Sequence, residues 1–288
     1  MMQNLDQQTQ QLIDLLSVEQ LDQYLFRGQS LNIFGPRIYG GQLLGQSVMI
    51  GCSLCQFHLH SMHACFIYAG DVAKPVIYHV TPLQIGRSFH RYAIDAKQND
   101  QTIFTAMLSF ARHEDGVIYQ PELPDYVFEE NLQSEQSYRE NVAEKLPAAL
   151  QNLFTQQFQV DIRPLDFIDP VAPTEKPPKY AEYLKTYSDI PIDYPQALHT
   201  AIVAYYSDYS LMNSTLRPHG ISYLSDHLQS ASLDHSLYFH LPVKADEWML
   251  YDIDAIVTAQ ARGLNIGQMW QNGQLVCTAL QENLMRIR

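Results

Sequence analysis

The segment HSLYFHLPVKADEWMLYDIDAIVTAQARGLNIGQMWQNGQLVCTALQENLMR, residues 235–286, decides the fold. Apolar and polar residues alternate through several short runs, which is the pattern of strands that bury one face. Asn272-Gly273 separates two of these runs as a two-residue hairpin turn does, since both positions of such a turn need positive φ. The same plan stands earlier in the chain as SMHACFIYAGD, PVIYHVTPL, SFHRYAIDAKQ and, after Asn99-Asp100, TIFTAMLSFAR. Phe66 corresponds to Phe239, Asn99 to Asn272 and Thr105 to Thr278, each at an offset of 173, while Arg87 and Arg262 fit at 175. A strand plan written twice predicts two similar units in one polypeptide.

A helical stretch precedes each strand section. Gly40-Gly41 opens GQLLGQSVMIGC in the first copy, and QALHTAIVAYYSDYSLMN, residues 196–213, stands in the second, followed by a longer helix-to-strand loop, STLRPHGISYLSD. Upstream, residues 4–16 and 17–23 read as an amphipathic helical start and YLFRGQS as a strand. Between the copies, HEDGVIYQPELPD is rich in acids and proline, and SEQSYRENVAEKLPAALQNLF is polar and helical, as in a connector. The chain therefore divides into a unit at 1–115, a connector at 116–160 and a unit at 161–288. The fold class expected is α+β, each unit a central helix wrapped by an antiparallel sheet, with the two sheets joined edge to edge.

Composition narrows the function. Hydrophobic residues make up 46% of the 288 and charged ones 17%, enough apolar surface for a core and too little charge for a disordered chain. With 18 Lys+Arg against 31 Asp+Glu and a net charge of -13, neither a nucleic acid nor an anionic membrane is expected as the main partner. The start MMQNLDQQTQQ has no basic and apolar leader pattern, and no run approaches the roughly 18 apolar residues that span a bilayer, so a cytoplasmic protein without membrane insertion is expected. Four cysteines, Cys52, Cys55, Cys65 and Cys277, are too few and too scattered for a disulfide framework and are expected as reduced thiols.

Three polar residues sit where apolar ones are expected. Leu198, Ala201, Tyr205, Asp208 and Met212 recur at spacings of three and four, so Asp208 lies on an apolar helical stripe. A carboxylate there is either a hydrogen-bonded structural anchor or a functional group. Gln281 shares parity with Leu275, Cys277 and Ala279, which puts an amide at the end of a small apolar strand face; a core amide bonded to backbone is the plainer alternative. Ser232 opens SLDHSLYFH, whose Leu233, Leu237, Phe239 and Leu241 form one face and Ser232, Asp234, Ser236, Tyr238 and His240 the other; a serine at a strand start is commonly a turn residue. At the 173 offset Gln281 aligns with Leu108 and Ser232 with Leu59, so these polar groups are not demanded by the shared fold.

Several chemistries are absent. There is no G-x-S-x-G elbow, no G-x-x-x-x-G-K-[ST] and no G-x-G-x-x-G. Cys52 and Cys55 form an isolated C-x-x-C inside a helical stretch, without the second pair a zinc site needs. His58, His60 and His63 cluster, but alternation sends His63 to the side opposite His58 and His60, so no metal and no cofactor is expected. Gly40-Gly41 at a helix start leaves backbone amides to meet an anion or a carbonyl oxygen, making Gly41 and the adjacent Gln42 substrate-binding candidates.

The chain resembles the acyl-CoA thioesterase II family, the double-hotdog thioesterases of bacteria and peroxisomes. LFRGQS, YGGQLLGQ, HSMHACFIYAGD with KPVIYHV, IRPLDF, RPHG, SLDHSLYFH and ALQENLMR match in order over nearly the whole length. The resemblance implies a double hotdog, a homodimer or homotetramer, and hydrolysis of acyl-CoA, with medium to long acyl chains expected. It also implies a catalytic group of an Asp, a Thr or Ser, and a Gln that hold a water; carried onto matching positions these are Asp208, Ser232 and Gln281. Ser232 stands where bacterial members often have Thr, which keeps the hydroxyl and removes a methyl that restrains its rotamer. Water attack and attack by Asp208 itself, giving a mixed anhydride, both fit these residues. An enoyl-thioester hydratase is the nearest rival, but the D-x-N-P-x-H run expected of it is missing, since DFIDP at 166–170 does not supply it; products from a 2-enoyl-CoA discriminate the two. A non-catalytic acyl-CoA sensor is the other rival, distinguished by binding without thiol release.

Overall fold

The computed structural model describes residues 5–33, 35–129 and 131–288. Residues Met1–Asn4, where the first helical reading begins, lie outside the described residues, as do Phe34 and Glu130. In chain order the elements are α1 (Gln7–Leu16), β1 (Val18–Asp22), β2 (Leu25–Gly28), α2 (Gly40–Leu54), β3 (His58–Phe66), β4 (Val76–Ile85), β5 (Phe89–Gln98), β6 (Gln101–Ala111), α3 (Glu135–Ala143) and α4 (Ala148–Thr155). Then come β7 (Asp161–Pro164), β8 (Lys179–Lys185), α5 (Gln196–Ser207), α6 (Asn213–Leu216), β9 (Leu228–Ser232), β10 (Asp234–Phe239), β11 (Met249–Ala259), β12 (Arg262–Gln271) and β13 (Gln274–Ile287). A 3-10 turn at Arg217–His219 follows α6.

The strands form one antiparallel sheet ordered β1-β2-β4-β5-β6-β3-β10-β13-β12-β11-β8-β7, with β9 also pairing β13. The order reads the same from either end once β3 is matched to β10, β6 to β13, β5 to β12 and β4 to β11. The two units meet where β3 pairs β10, and His63 faces Ser236 there, two residues separated by the repeat offset of 173. A pseudo-twofold axis therefore passes between them, and the architecture is the double hotdog.

The repeat extends to irregularities of the ladder. Register slips at Pro82/Gln84 and Ala96/Lys97 recur at Ala255/Val257 and Met269/Trp270, each 173 residues on. A slip between Leu59 and Ser61 recurs as the break at Leu233 between β9 and β10, where Ser232 pairs Asn283 but Ser236 pairs Leu280. Bulges shared at one offset are not a product of strand periodicity alone. The turns repeat as well, Asn99-Asp100 and Asn272-Gly273 both holding positive φ (49°, 61° and 52°, 75°), as a primed hairpin turn requires. Arg262, however, takes the ladder position of Phe89, so its match to Arg87 at 175 is not a structural equivalence.

The slips also correct two readings of which side chain faces where. One extra residue reverses the alternation beyond it. His60 and His63 thus share the outer face, bonded to Ser109 and Ser236, and Ser232 lies on the inner side with Leu237 and Phe239 rather than opposite them.

Helices α2 and α5 pack against each other inside the curved sheet. A Cβ on Gly41 would overlap the Tyr205 carbonyl oxygen, and one on Gly45 would stand 2.9 Å from the Ala201 carbonyl oxygen, so these two glycines, one turn apart, let the backbones touch. α5 is buried on all sides from Ala201 to Ser207 instead of along one stripe, because the sheet wraps it. It ends at Ser207, with Tyr209 N–H bonding back to Tyr206 O, so it stops short of the 196–213 span expected. Residues 18–22 form a strand paired with β2 rather than a continuation of the first helix. α1 is capped by Asp6, whose carboxylate accepts from Gln8 N–H at 2.8 Å.

Candidate active site

The end of α5 meets the start of α2 beside the last residue of β9 and the middle of β13, and three polar side chains converge there. Gln281 Nε2 donates to Ser232 Oγ at 2.8 Å, and Ser232 Oγ donates to Asp208 Oδ1 at 3.0 Å. Asp208 is the C-cap of α5, with 9% of its surface exposed, while Gln281 is 1% exposed. Residues distant in sequence become one hydrogen-bonded row because β13 carries Gln281 past Ser232 at the point where the register slips.

The other side of the carboxylate is made by the first unit. Tyr39, at the N-cap of α2, makes no capping bond with its side chain; its hydroxyl instead donates to the Tyr205 carbonyl at 2.8 Å. The Gly41 amide at the open helix end lies near enough to Asp208 to favour its charge, so the helix terminus of one unit faces a carboxylate of the other. Burial raises the Asp208 pKa above its ordinary value, opposed in turn by the charge of His235, the Ser232 hydroxyl, the Gly41 amide and the Gln281 amide. The result is a carboxylate more basic than an exposed Asp.

Gly40 stands beside the second carboxylate oxygen. A Cβ there would lie 2.5 Å from Asp208 Oδ2 and 2.8 Å from the ring of Phe66, which forms the apolar wall beside it. Gly40→Ala is therefore expected to push the carboxylate off its partners and lower turnover at least about tenfold, a displacement of this size being enough for that loss. Steady-state kinetics on the purified variant, with thermal unfolding as the fold control, checks this; unaltered kcat would mean the carboxylate moves without consequence.

The sequence candidates thus divide. Asp208, Ser232, Gln281 and the Gly41 amide come together. Gln42 does not join them: fully buried, its amide nitrogen donates to Ser30 Oγ at 2.9 Å and Gln29 O at 3.2 Å, tying α2 to the loop after β2. Sequence reasoning missed His235, which is fully buried with Nδ1 2.7 Å from Gln281 Oε1 and Nε2 2.8 Å from Ser207 Oγ. Its parity with Leu237 and Phe239 was the available signal, a titratable ring on an apolar strand face.

The corresponding places of the first unit are apolar. Leu59, Met62 and Leu108 stand 173 residues before Ser232, His235 and Gln281, and all three are buried. Cys55 caps α2 as Asp208 caps α5. The polar row exists once in the pair of units.

Comparison with known proteins agrees with this architecture. Residues 149–284 match the family model described as acyl-CoA thioesterase, and residues 29–111 match that of the acyl-CoA thioesterase N-terminal domain. The chain is 32% identical to acyl-CoA thioesterase 2 of Haemophilus influenzae, over 96% of each chain. It is 30% identical to human acyl-coenzyme A thioesterase 8, over 95% of this chain and 88% of that one. Among solved structures, a tesB protein of Mycobacterium avium subsp. paratuberculosis superposes with a TM-score of 0.78 at 26% identity, covering 96% and 99% of the two chains. An acyl-CoA thioesterase II of Mycobacterium marinum gives 0.76 at 27% identity, covering 96% and 98%.

Proposed function

We propose, for a chain that belongs to the acyl-CoA thioesterase II family and is a thioester hydrolase, that a water held by Asp208, Ser232 and Gln281 attacks acyl-CoA thioesters of medium to long chain. The observation that carries this reading is the directed row of bonds from Gln281 through Ser232 to a buried carboxylate whose basicity is raised. Asp208 takes a proton from the water as its oxygen adds to the carbonyl. The tetrahedral intermediate then collapses, the C–S bond breaks, and the departing CoA thiolate recovers the proton from Asp208. A thioester is an activated acyl group with a good leaving group, so no serine-type nucleophile is needed.

Two donors are offered to the carbonyl oxygen, the Gly41 N–H and the amide of Gln281. Both also lie against the carboxylate, so the substrate carbonyl would share them with Asp208. The preference for longer acyl chains follows the family resemblance, and Phe66, against Gly40, is the apolar side chain beside the carboxylate.

Thiol release from acyl-CoA substrates of short, medium and long chain tests the substrate reading, with kcat/KM expected to rise with chain length; a maximum at acetyl-CoA would overturn it. A single turnover in ¹⁸O-water tests the route: direct attack places the label in the fatty acid alone, and label found in Asp208 would establish an anhydride opened by water at the aspartyl carbon. Because the base must be ionised, kcat is expected to fall on acidification in a limb lying above the ordinary carboxylate range, following the raised Asp208 pKa. A pH–rate profile with its acid limb near pH 4 would show that burial does not act on the working base.

The same reading takes residues 1–115 and 161–288 as the two hotdog units and 116–160 as their connector, in keeping with β6 ending at Ala111 and β7 beginning at Asp161. It includes a cytoplasmic location and a homodimer or homotetramer, which light scattering on the eluting protein tests. Among the described residues no helix is long and apolar enough to cross a membrane.

A further inference from the structure

Asp208, Ser232 and Gln281 have roles in the reading above; the imidazole behind Gln281 has none. His235 Nδ1 lies 2.7 Å from Gln281 Oε1. An amide oxygen only accepts, so Nδ1 carries the proton in this bond whether the ring is neutral or charged. That proton sets the direction of each bond beyond it. With Oε1 turned to the imidazole, the Gln281 nitrogen faces Ser232 and donates; Ser232 then gives its own proton to Asp208 Oδ1.

The reverse order is equally self-consistent and has a different outcome. A bare Nδ1 would accept from the Gln281 nitrogen, the amide oxygen would take the Ser232 proton, and Asp208 would lose its hydroxyl donor. With the proton on Nδ1 of the neutral ring, Nε2 accepts, so the Oγ of Ser207, the last residue of α5, 2.8 Å away, gives its one hydrogen to the imidazole rather than to Ala204 O, which also lies 2.8 Å from it. The ring is thereby braced against the same helix end that presents Asp208.

We infer that His235 is a positioning residue, which through Gln281 turns the Ser232 hydroxyl onto Asp208 and so sets where the attacking water is held. This rests on the water-holding reading of the three residues. The internal repeat supplies an independent argument. In the first unit the buried place equivalent to His235 is filled by Met62, beside Leu108 and Leu59 in place of Gln281 and Ser232. The fold therefore accepts an apolar side chain there, and the histidine accompanies the polar row.

Two substitutions separate positioning from packing. Asn places its side-chain nitrogen close to where Nδ1 stands and keeps a donor for Gln281; Met is the residue the first unit uses and offers no donor. His235→Asn is expected to retain kcat within about threefold, and His235→Met to lose about 10- to 100-fold in kcat with KM changed less than about threefold, the protein remaining folded at the assay temperature. Asp208→Asn is run beside them. If Asp208→Asn abolishes turnover while the two His235 variants match the wild type, or fall equally, positioning by His235 is overturned and the water-holding reading stands. If Asp208→Asn leaves turnover intact, that reading fails and this inference fails with it.

Discussion

Asp208→Asn is expected to lower kcat by about 1,000-fold, the middle of the range general bases contribute, with KM little changed and the fold intact. The substitution is isosteric, so Ser232 keeps an oxygen to donate to and the packing of α2 on α5 is undisturbed. What disappears is the group able to accept a proton from the water as it attacks. Stability should move the other way. Burial disfavours the ionised carboxylate and raises its pKa, so above that pKa the folded state carries a charge it holds less favourably than the unfolded chain does. Asparagine removes that charge, and the midpoint of thermal unfolding at neutral pH is expected to stay level or rise while activity collapses. Thiol-release kinetics and calorimetry on the same preparation give both numbers. A rate that survives would take Asp208 out of the chemistry; a rate lost together with the fold would leave the carboxylate a structural anchor, the alternative its place on an apolar helix always allowed.

Much of the fold was open to reading because its signals are local. Strand periodicity and the turns at Asn99-Asp100 and Asn272-Gly273 mark hairpins from a few adjacent residues, and their common spacing gave the repeat. The bulges were not open to reading. An extra residue at His60 or Leu233 carries no glycine and no compositional mark, yet it reverses every side chain beyond it, which is why Ser232 was assigned to the wrong face. The end of α5 was hidden for a related reason, since YYSDYS contains nothing that forbids a helix and only tertiary packing halts it at Ser207. The unbroken apolar run AIVAYY already pointed to burial on every side rather than a stripe.

The site shows the same division. Asp208 and Gln281 were visible as polar residues in apolar settings, and the family resemblance supplied their grouping with Ser232. Alternation alone had put Ser232 opposite the strand face that packs inward, and no spacing along the chain joins it to Asp208. His235 shares the local signature of Gln281, a polar side chain in parity with Leu237 and Phe239, but nothing along the chain ties it to the other three residues. The pattern that singles it out is the contrast between copies, in which Met62, Leu59 and Leu108 replace the three polar side chains together.

Glu182→Gln is expected to remove the destabilisation that ionising Glu182 contributes between about pH 5 and pH 8. Glu182 sits on β8 opposite Tyr251, with no exposed surface. Neither carboxylate oxygen has a well-aligned hydrogen bond, although the hydroxyls of Ser210 and Tyr180 are near enough to favour its charge, and burial raises its pKa from 4.5 to about 8. Below 4.5 folded and unfolded chains both hold the proton, and Glu182 has no effect on the pH dependence. Between 4.5 and about 8 the unfolded chain has released it and the folded one has not, so stability falls as pH rises and levels off above 8. A shift of that size corresponds to roughly 5 kcal/mol at alkaline pH, or about 10 °C in the unfolding midpoint for a chain of this length. Glu135, Asp208 and Asp252 are also raised by burial and act in the same direction, whereas His60, His199, His235 and His240 are lowered by burial and act in the opposite one, so the difference between wild type and variant, not the slope itself, isolates Glu182. Ser210 Oγ, buried beside Glu182 and without an aligned hydrogen-bond partner among the described residues, is positioned to receive the new amide. Calorimetric unfolding of wild type and variant at pH 5 and pH 9 decides the matter: midpoints close together at pH 5 and separated at pH 9 are the expected result, whereas parallel profiles would mean that Glu182 ionises in the folded protein near its ordinary pKa and that its burial is relieved by solvent.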